Sequence, residues 1–208
     1  MLAIIDYGVG NLFSLSCSLK AIGEESVITS DPGVIRKADR IILPGVGAFG
    51  DAAEKLRTGG MAELVKEQAA AGKPLMGICL GMQLLLDKSF EYGEHPGLGL
   101  IPGEIRPISD VIPEDYKIPQ IGWNYLKFNK PECPIFKYIK EGDFVYFVHS
   151  FYGTDCSENT AAVTEYGAPL TAVVWKDNVF GCQFHPEKSG EVGLNILRAF
   201  CETEGPVC

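Results

Sequence analysis

Residues 77–81, with the sequence GICLG, have the pattern of a nucleophile elbow that carries a cysteine at its centre. An apolar segment precedes Cys79, and a helix-forming segment follows it. Glycines suit such a turn because its tight backbone leaves no room for side chains beside the nucleophile. The turn would hold the sulfur clear of the backbone at a helix N-terminus, where the helix dipole favours a thiolate. The alternative is an ordinary buried cysteine in a strand-to-helix turn.

A cysteine nucleophile needs a general base, and the chain has three histidines. His95 lies in a loop and is expected at the surface, whereas His149 ends a strand-like segment. His185 follows an apolar segment and precedes a proline, which favours an extended backbone. Residues two apart in an extended chain point to the same side, so Glu187 could hold the ring with one nitrogen facing the thiol. We therefore predict a Cys79–His185–Glu187 relay, with a solvated strand end as the alternative.

A third segment, residues 43–47 (LPGVG), follows another predicted strand. Backbone amides in a glycine-rich turn can point together at a developing oxyanion, and the amide after the nucleophile is a further donor. We predict an oxyanion hole from these four residues: Gly45, Val46, Gly47 and Leu80. Taken alone, the segment is better explained as an ordinary strand-to-helix turn.

The elements that would position these catalytic groups are strands and helices, which alternate through the first half of the chain. Short, continuously apolar strands are predicted at residues 2–6, 26–29, 41–43 and 75–78, and helices at 12–22, 52–71 and 82–87. Such strands are typical of a parallel sheet with helices on both faces. Active sites of open α/β sheets lie at the carboxyl ends of the strands, which is where the cysteine and histidine segments fall.

The second half of the chain has a different pattern. Residues 93–119 are rich in Gly and Pro and predict turns. Strands are predicted at 123–128, 144–148, 161–164, 170–175 and 179–184, with a hairpin turn at 176–178 and a final helix at 190–202. We expect an α/β fold, with an open, mostly parallel sheet followed by an antiparallel, β-rich half, in a single domain of residues 1–208.

Composition excludes several classes of protein. The 208 residues are 46% hydrophobic and 22% charged, which suits one globular domain. A net charge of −9 argues against nucleic acid as the main partner. No apolar run reaches the ~18 residues of a membrane span, and the N-terminus does not resemble a signal peptide. Seven scattered cysteines without a CxxC pair predict a reducing, cytoplasmic location.

Two other kinds of binding site have weaker support. Cys182 and His185 have a ligand-like spacing, but no second pair completes a tetrahedral zinc site. Residues 8–10 (GVG) and Asp31 resemble part of a dinucleotide fingerprint, but Phe13 stands where the third glycine belongs. We therefore predict no metal and no cofactor.

Three segments together resemble the class I (triad) glutamine amidotransferases in order and spacing: residues 44–47 (PGVG), 77–83 (GICLGMQ) and 185–187 (HPE). The resemblance implies a flavodoxin-like sheet and the hydrolysis of glutamine to glutamate and ammonia by the cysteine–histidine–glutamate relay. It also implies three residues that bind the amino-acid end of the substrate: Gln83, Ser150 and Phe151.

Four further segments narrow the resemblance to the glutaminase subunits of histidine biosynthesis: residues 5–11, 122–124, 147–151 and 186–189. This implies a heterodimer with a HisF-type (β/α)8-barrel synthase subunit that consumes the ammonia. The interface is expected to include Asn11, Trp123 and Lys188, with Trp123 as the anchor unless it packs in the core. The alternatives are a glutaminase subunit for anthranilate or pyridoxal phosphate synthesis and a non-catalytic binding module on the same scaffold.

Overall fold

The computed structural model describes residues 1–204. The strands of this part are β1 (Leu2–Ile5), β2 (Ser26–Thr29), β3 (Arg40–Gly45), β4 (Leu75–Cys79), β5 (Lys88–Ser89), β6 (His95–Pro96), β7 (Glu104–Pro107), β8 (Gln120–Tyr125), β9 (Lys127–Phe128), β10 (Phe144–His149), β11 (Phe151–Thr154), β12 (Thr160–Glu165), β13 (Pro169–Lys176) and β14 (Val179–Cys182). The helices are α1 (Leu12–Ala21), α2 (Pro32–Lys37), α3 (Phe49–Thr58), α4 (Met61–Ala70), α5 (Leu80–Leu85) and α6 (Gly190–Cys201).

The central sheet is mixed and has the strand order β2-β1-β3-β4-β14-β13-β12-β9. The first five strands of this order are parallel, and the rest are antiparallel. The predicted α/β class is therefore confirmed. One strand of the second half, β14, pairs in parallel with β4, which the sequence did not predict. This pairing sets the carboxyl ends of β3, β4 and β14 side by side at one edge of the sheet.

Both faces of the sheet are buried, which explains the continuously apolar strands. Within β1, Ala3 and Ile5 join one apolar cluster, and Leu2 and Ile4 join the other. Side chains of α3 and α4 cover the first cluster, and side chains of α1 and α6 cover the second. Because neither face meets solvent, the strands lack the alternation of polar and apolar residues that marks a half-exposed strand.

The helix predicted over residues 52–71 is wrong in one respect. The chain forms two helices, α3 and α4, because Gly60 takes a left-handed backbone conformation with φ +70° between them. Residues on both sides of the break favour helix, so composition did not reveal it. The short helix α2 was not predicted. Asp31 caps it by accepting hydrogen bonds from the amides of Gly33 and Val34 at 2.6 and 3.3 Å.

Two smaller sheets form beside the central one. The strands β8 and β10 pair as an antiparallel ribbon, and β11, β7, β5 and β6 form a four-stranded sheet. The latter uses residues of the segment predicted as turns, 93–119. The strand predicted at 123–128 divides into β8 and β9 because Leu126 turns into the core between them. The predicted hairpin at 176–178 joins β13 to β14.

The cysteines of the described part are unpaired, and all except Cys17 are buried. Cys208 lies outside the described residues. Each helix within residues 1–204 is too short or too polar to cross a lipid bilayer.

Candidate active site

Cys79 lies at the turn between β4 and α5 in a strained backbone conformation, with φ 53° and ψ −111°. The residues two positions before and after it must be glycines, because other backbone segments fill the space beside them. A Cβ on Gly81 would lie 1.8 Å from the carbonyl oxygen of Leu43 in β3, and one on Gly77 would lie 2.6 Å from Gly81. The packing of β3 against the start of α5 thus accounts for the GICLG pattern. Cys79 is the last residue of β4, so its sulfur lies at the edge of the sheet formed by the carboxyl ends of the parallel strands.

His185 and Glu187 meet directly, three and five residues after β14 ends. His185 is extended, and Glu187 lies in the single turn of 3-10 helix that follows, Pro186–Lys188. The His185 Nδ1 atom lies 2.8 Å from Glu187 Oε1, and the two side chains are 3% and 4% exposed. Glu187 Oε2 has no hydrogen-bond partner among the described residues. The carboxylate therefore fixes one nitrogen of the ring and leaves Nε2 for the sulfur of Cys79.

The electrostatic surroundings favour a protonated His185. Burial of the ring lowers its pKa, but hydrogen bonds with Cys79 and Glu187, and their negative charges, raise the pKa to about 9. An imidazolium is the form that can deliver a proton to a leaving group. The His185 ring thus lies between Glu187, which it contacts, and the nearby Cys79 at the sheet edge.

A cleft of about 420 Å³ opens over Cys79 and His185. Most of the other predicted site residues also line this cleft: Val46, Gly47, Leu80, Gln83, Ser150, Phe151 and Lys188. Gly45 does not line it. As the last residue of β3 it pairs with Cys79 and lies behind the cleft, where a Cβ would meet the amide of Gly81 and the hydroxyl of Tyr7 at 2.9 Å.

The strip after β3 has amides available for a ligand. Among the hydrogen bonds of residues 1–204, none is donated by the amide of Gly47 or Leu80. Tyr7 supports the strip because its buried hydroxyl donates to the carbonyl oxygen of Pro44 at 2.8 Å. Burial, with a smaller effect of the nearby Cys79, raises the pKa of Tyr7, so the hydroxyl keeps the proton that it donates. The strip can therefore present backbone N–H groups to an oxyanion.

Sequence reasoning missed several residues of the cleft. Glu91 and Tyr92 follow β5, and Pro119 precedes β8; none of them belongs to a motif that marks it. Glu91 accepts a hydrogen bond from the amide of Phe49 at the start of α3, which holds its carboxylate at the cleft wall. These residues reach the site through the small sheet and the ribbon, and sequence spacing alone does not predict those packings.

His149 also lines the cleft, as a buried neutral side chain. Its Nδ1 lies 2.8 Å from the carbonyl oxygen of Phe151, and its Nε2 lies 2.8 Å from the amide group of Gln120. Burial lowers the pKa of His149 to about 4. The hydrogen bond to Phe151 acts in the opposite direction and raises the pKa, whereas the nearby charge of His185 lowers it further. A neutral ring that donates from Nδ1 must accept at Nε2. Gln120 therefore presents its NH₂ group to this ring, which also gives its otherwise unpartnered nitrogen an acceptor.

We expect His149 to weaken the fold in acid. The unfolded histidine binds a proton near pH 6.5 and the folded one only near pH 4, so stability is full above pH 6.5 and is lost as the pH falls towards 4. The loss over that range amounts to roughly 3 kcal/mol. Urea unfolding of the native chain and of His149→Asn, which keeps a donor to Phe151, measures the effect. Parallel stability curves for the two proteins between pH 7 and 4 would contradict it.

Trp123 lies on the ribbon surface and is 55% exposed, so it is not a core residue. One face of the β8–β10 ribbon carries only aliphatic and aromatic side chains, and we call it the ribbon face: Ile121, Trp123, Tyr125, Phe144, Tyr146 and Val148. The Trp123 ring packs edge-on against Tyr146 at 6.0 Å, and Lys188 Nζ lies 6.0 Å from the same tyrosine ring. Asn11 lies elsewhere, at the start of α1 beside Glu187.

Within residues 1–204, no three His, Cys, Asp or Glu side chains are grouped so that they could hold a metal ion. Cys182 and His185, whose spacing alone resembles that of a ligand pair, belong to no such group among these residues.

Comparison with known proteins gives consistent matches over nearly the whole chain. A family model described as glutamine amidotransferase class-I matches residues 3–203. The chain is 49% identical over 204 residues to the imidazole glycerol phosphate synthase subunit HisH of Wolinella succinogenes, covering 97% of this chain and 99% of that protein. It is 52% identical over 203 residues to the protein of the same name from Caldanaerobacter subterraneus subsp. tengcongensis, covering 97% and 98%.

Solved structures show the same fold at lower identity. A crystal structure of a glutamine amidotransferase matches with a TM-score of 0.74 at 18% identity, covering 96% of this chain and 97% of that one. The structure of PurLQS from Thermotoga maritima matches with a TM-score of 0.74 at 22% identity, covering 96% of each chain. At these identities the likeness establishes the fold alone.

Proposed function

This chain belongs to the class-I glutamine amidotransferases, and from that premise we propose that it is the glutaminase subunit of an imidazole glycerol phosphate synthase. The observation that carries the proposal is that Cys79 and His185 line one cleft, while Glu187 holds the other side of the His185 ring. The relatives named HisH, at about half identity over nearly the full length, support the choice of this synthase over anthranilate or pyridoxal phosphate synthesis.

The first chemical step is the attack of the Cys79 thiolate on the side-chain amide carbon of glutamine. The carbonyl oxygen becomes an oxyanion, which accepts hydrogen bonds from the amides of Val46 or Gly47 and of Leu80. Such donors act in the transition state, and the loss of one typically costs about 3–4 kcal/mol of its stabilisation. The hydrogen bond from Tyr7 to Pro44 supports this role because it fixes the start of the strip.

His185 carries the proton in the second step. An amide nitrogen leaves readily only once it is protonated, so the imidazolium gives its proton to that nitrogen and ammonia departs. The product is a glutamyl thioester on Cys79. The neutral His185 then takes a proton from a water molecule as the water oxygen attacks the thioester carbon. Expulsion of the sulfur restores the Cys79 thiolate and the imidazolium, and the released glutamic acid loses its proton to solvent. Glu187 stabilises the imidazolium both before it gives its proton to the leaving nitrogen and after it takes a proton from water.

Polar groups around the cleft suit the amino-acid end of glutamine. Both N–H groups of Gln83 are used within the protein, by the carbonyl oxygen of Phe151 at 3.2 Å and by Gln183 at 3.0 Å. Gln83 Oε1 is therefore the atom left to accept from the substrate. Glu91, a carboxylate at the cleft wall, suits the substrate's ammonium group. Backbone groups of Ser150 and Phe151 complete the proposed subsite.

The proposed partner is a HisF-type (β/α)8-barrel synthase subunit in a heterodimer. Ammonia reacts as a nucleophile only while it is unprotonated, so its consumer must dock over the cleft. In the partner it would convert a phosphoribulosyl-formimino aminoimidazole ribotide to imidazole glycerol phosphate and an aminoimidazole carboxamide ribotide. The ribbon face supports docking beside the cleft because exposed apolar patches of this kind mark interaction surfaces. Lys188 and, on the other side of the relay, Asn11 extend the proposed surface.

We expect Trp123→Ala to weaken binding of the barrel subunit by at least about tenfold, because central aromatic residues dominate such interfaces. Tyr138→Ala is the matched control, since Tyr138 is an exposed aromatic residue that bonds to Glu202 at the far end of α6. Isothermal titration calorimetry with the purified barrel subunit measures both affinities. Equal affinity of the Trp123→Ala variant and the native chain would contradict the proposed docking surface.

The experiment that tests the function is glutamate release from glutamine by this chain, with and without the barrel subunit and its ligand. The proposal predicts release that depends on the partner, together with formation of imidazole glycerol phosphate from glutamine. Glutamate release supported only by an anthranilate or pyridoxal phosphate synthase partner would assign the chain to that pathway. No release with any of these partners would favour a non-catalytic binding module.

A further inference from the structure

Gln183 is a buried polar residue beside the nucleophile, and no step of the chemistry above uses it. It follows β14 directly and is 0% exposed. Its Nε2 atom lies 3.8 Å from the sulfur of Cys79. A buried amide in an otherwise apolar segment must satisfy both its oxygen and its nitrogen. The question is therefore which atom faces the sulfur, and why.

The surrounding hydrogen bonds fix the orientation of this amide. The carbonyl oxygen of Phe151 can only accept, so the group of Gln83 that lies 3.2 Å from it must be its NH₂. The same NH₂ group lies 3.0 Å from Gln183, which must accept with its oxygen. The remaining group of Gln183 is its NH₂, and it faces Cys79. His149 donates to the same carbonyl oxygen at 2.8 Å, which anchors that end of the network.

A second contact of the Cys79 sulfur, with the carbonyl oxygen of Val148, explains why the thiolate needs a hydrogen-bond donor. The Cys79 thiol donates to the carbonyl oxygen of Val148, at 3.9 Å. Once the thiol loses its proton, two electron-rich atoms face each other at that contact. The Gln183 N–H and the His185 ring are then the groups that can stabilise the negative sulfur. Catalytic hydrogen bonds are often long before substrate binds, so a 3.8 Å contact fits this role.

We infer that Gln183 donates a hydrogen bond to the Cys79 thiolate, both when it attacks glutamine and when it leaves the thioester. The expected effect on glutamine turnover rests on the proposed glutaminase function. The geometric basis of the inference does not depend on the identity of the substrate. The competing hypothesis is that Gln183 only holds Gln83 in place through its oxygen.

Two variants separate these hypotheses. Gln183→Glu keeps an oxygen that accepts from Gln83, and it replaces the donor with a negative charge only at the alkaline end of the pH profile, because burial and the nearby thiolate keep its carboxyl group protonated below that. Gln183→Met removes both groups at similar size. Gln68→Met is the matched control, because Gln68 is a buried glutamine of α4 outside the cleft. All are assayed as complexes with the barrel subunit, after their melting temperatures have been compared with that of the native complex.

The first readout is the pH dependence of Cys79 alkylation by iodoacetamide, which needs no glutamine. We expect the pH midpoint to move upward in both Gln183 variants and to stay unchanged in Gln68→Met. The second readout is glutamine turnover, in which kcat should fall about 10- to 100-fold, the usual effect of losing a hydrogen bond to a charged group.

A Gln183→Met variant with the native alkylation midpoint would overturn the inference and leave only the role of holding Gln83. An increase in KM without a change in midpoint would overturn it as well. If one variant does not fold, the other still decides between the two hypotheses. A native complex that alkylates normally but releases no glutamate would refute the proposed function, while the alkylation profiles would still test the role of Gln183.

Discussion

Cys79→Ser in the complex should lose glutamine-dependent synthesis by at least about 10³-fold, as removal of a catalytic nucleophile commonly does. The serine hydroxyl is far less ionised than a thiol, so it is a much weaker nucleophile at this position. Synthesis from added ammonia should remain at the native rate, because that reaction takes place in the barrel subunit. Assays with glutamine and with ammonium chloride at alkaline pH measure the two activities.

Cys17→Ser is the control, since Cys17 is an exposed cysteine of α1. It should leave both activities unchanged. Loss of both activities in Cys79→Ser, with the complex still assembled, would show that this cysteine supports the barrel reaction itself. Retention of both would remove Cys79 from the chemistry.

Gly81→Ala should have the largest effect on folding of any single methyl addition near the site. Its Cβ would lie 1.8 Å from the backbone oxygen of Leu43 and 2.9 Å from the carbon of the same carbonyl group. Backbone cannot rotate away as a side chain can, so β3 and α5 would have to separate. We expect a loss of at least about 3 kcal/mol of unfolding free energy, at the upper end for overpacking. Chemical denaturation followed by circular dichroism measures it.

Gly59→Ala is the matched control, because Gly59 has an ordinary helical φ and the nearest atom to its added Cβ is at 3.2 Å. Its stability should change by less than about 1 kcal/mol. If Gly81→Ala were as stable as the control, the packing of β3 against α5 would not explain the glycine pattern of the elbow.

The sequence predicted the parallel half of the fold well because both sheet faces are buried. Continuous apolar runs such as residues 41–43 and 75–78, alternating with helical segments, fit few arrangements besides a parallel sheet covered on both faces. The relay was predictable for a similar reason. Tight turns and a proline constrain the backbone around Cys79 and around His185, so each half of the relay is visible in its own segment, whereas the meeting of the two segments depends on the pairing of β14 with β4.

The remaining features depend on contacts that are distant in sequence. Nothing local indicates that β14, a strand in an antiparallel hairpin, also pairs in parallel with β4. The break between α3 and α4 depends on the conformation of one glycine, Gly60. Glu91 reaches the cleft only because the small sheet packs there, and residues 93–119 gave no periodic pattern from which that sheet could be predicted.

Gln183 is an instructive case, because a signal was present in the sequence. A single amide in the apolar segment 179–184, two residues before His185, is unfavourable to bury without partners. Its partners, Gln83 and Cys79, lie about a hundred positions earlier in the chain. The sequence thus indicated that this amide needs buried hydrogen-bond partners, and only the fold showed which residues they are.

The most direct test of the account is to trap the intermediate. The assembled complex is mixed with glutamine, quenched in acid within one turnover, digested, and analysed by mass spectrometry. The account predicts a glutamyl thioester on the peptide that contains Cys79, and none on peptides of the other cysteines. Rapid glutamate release without modification of Cys79, or with the glutamyl group on another cysteine, would contradict it.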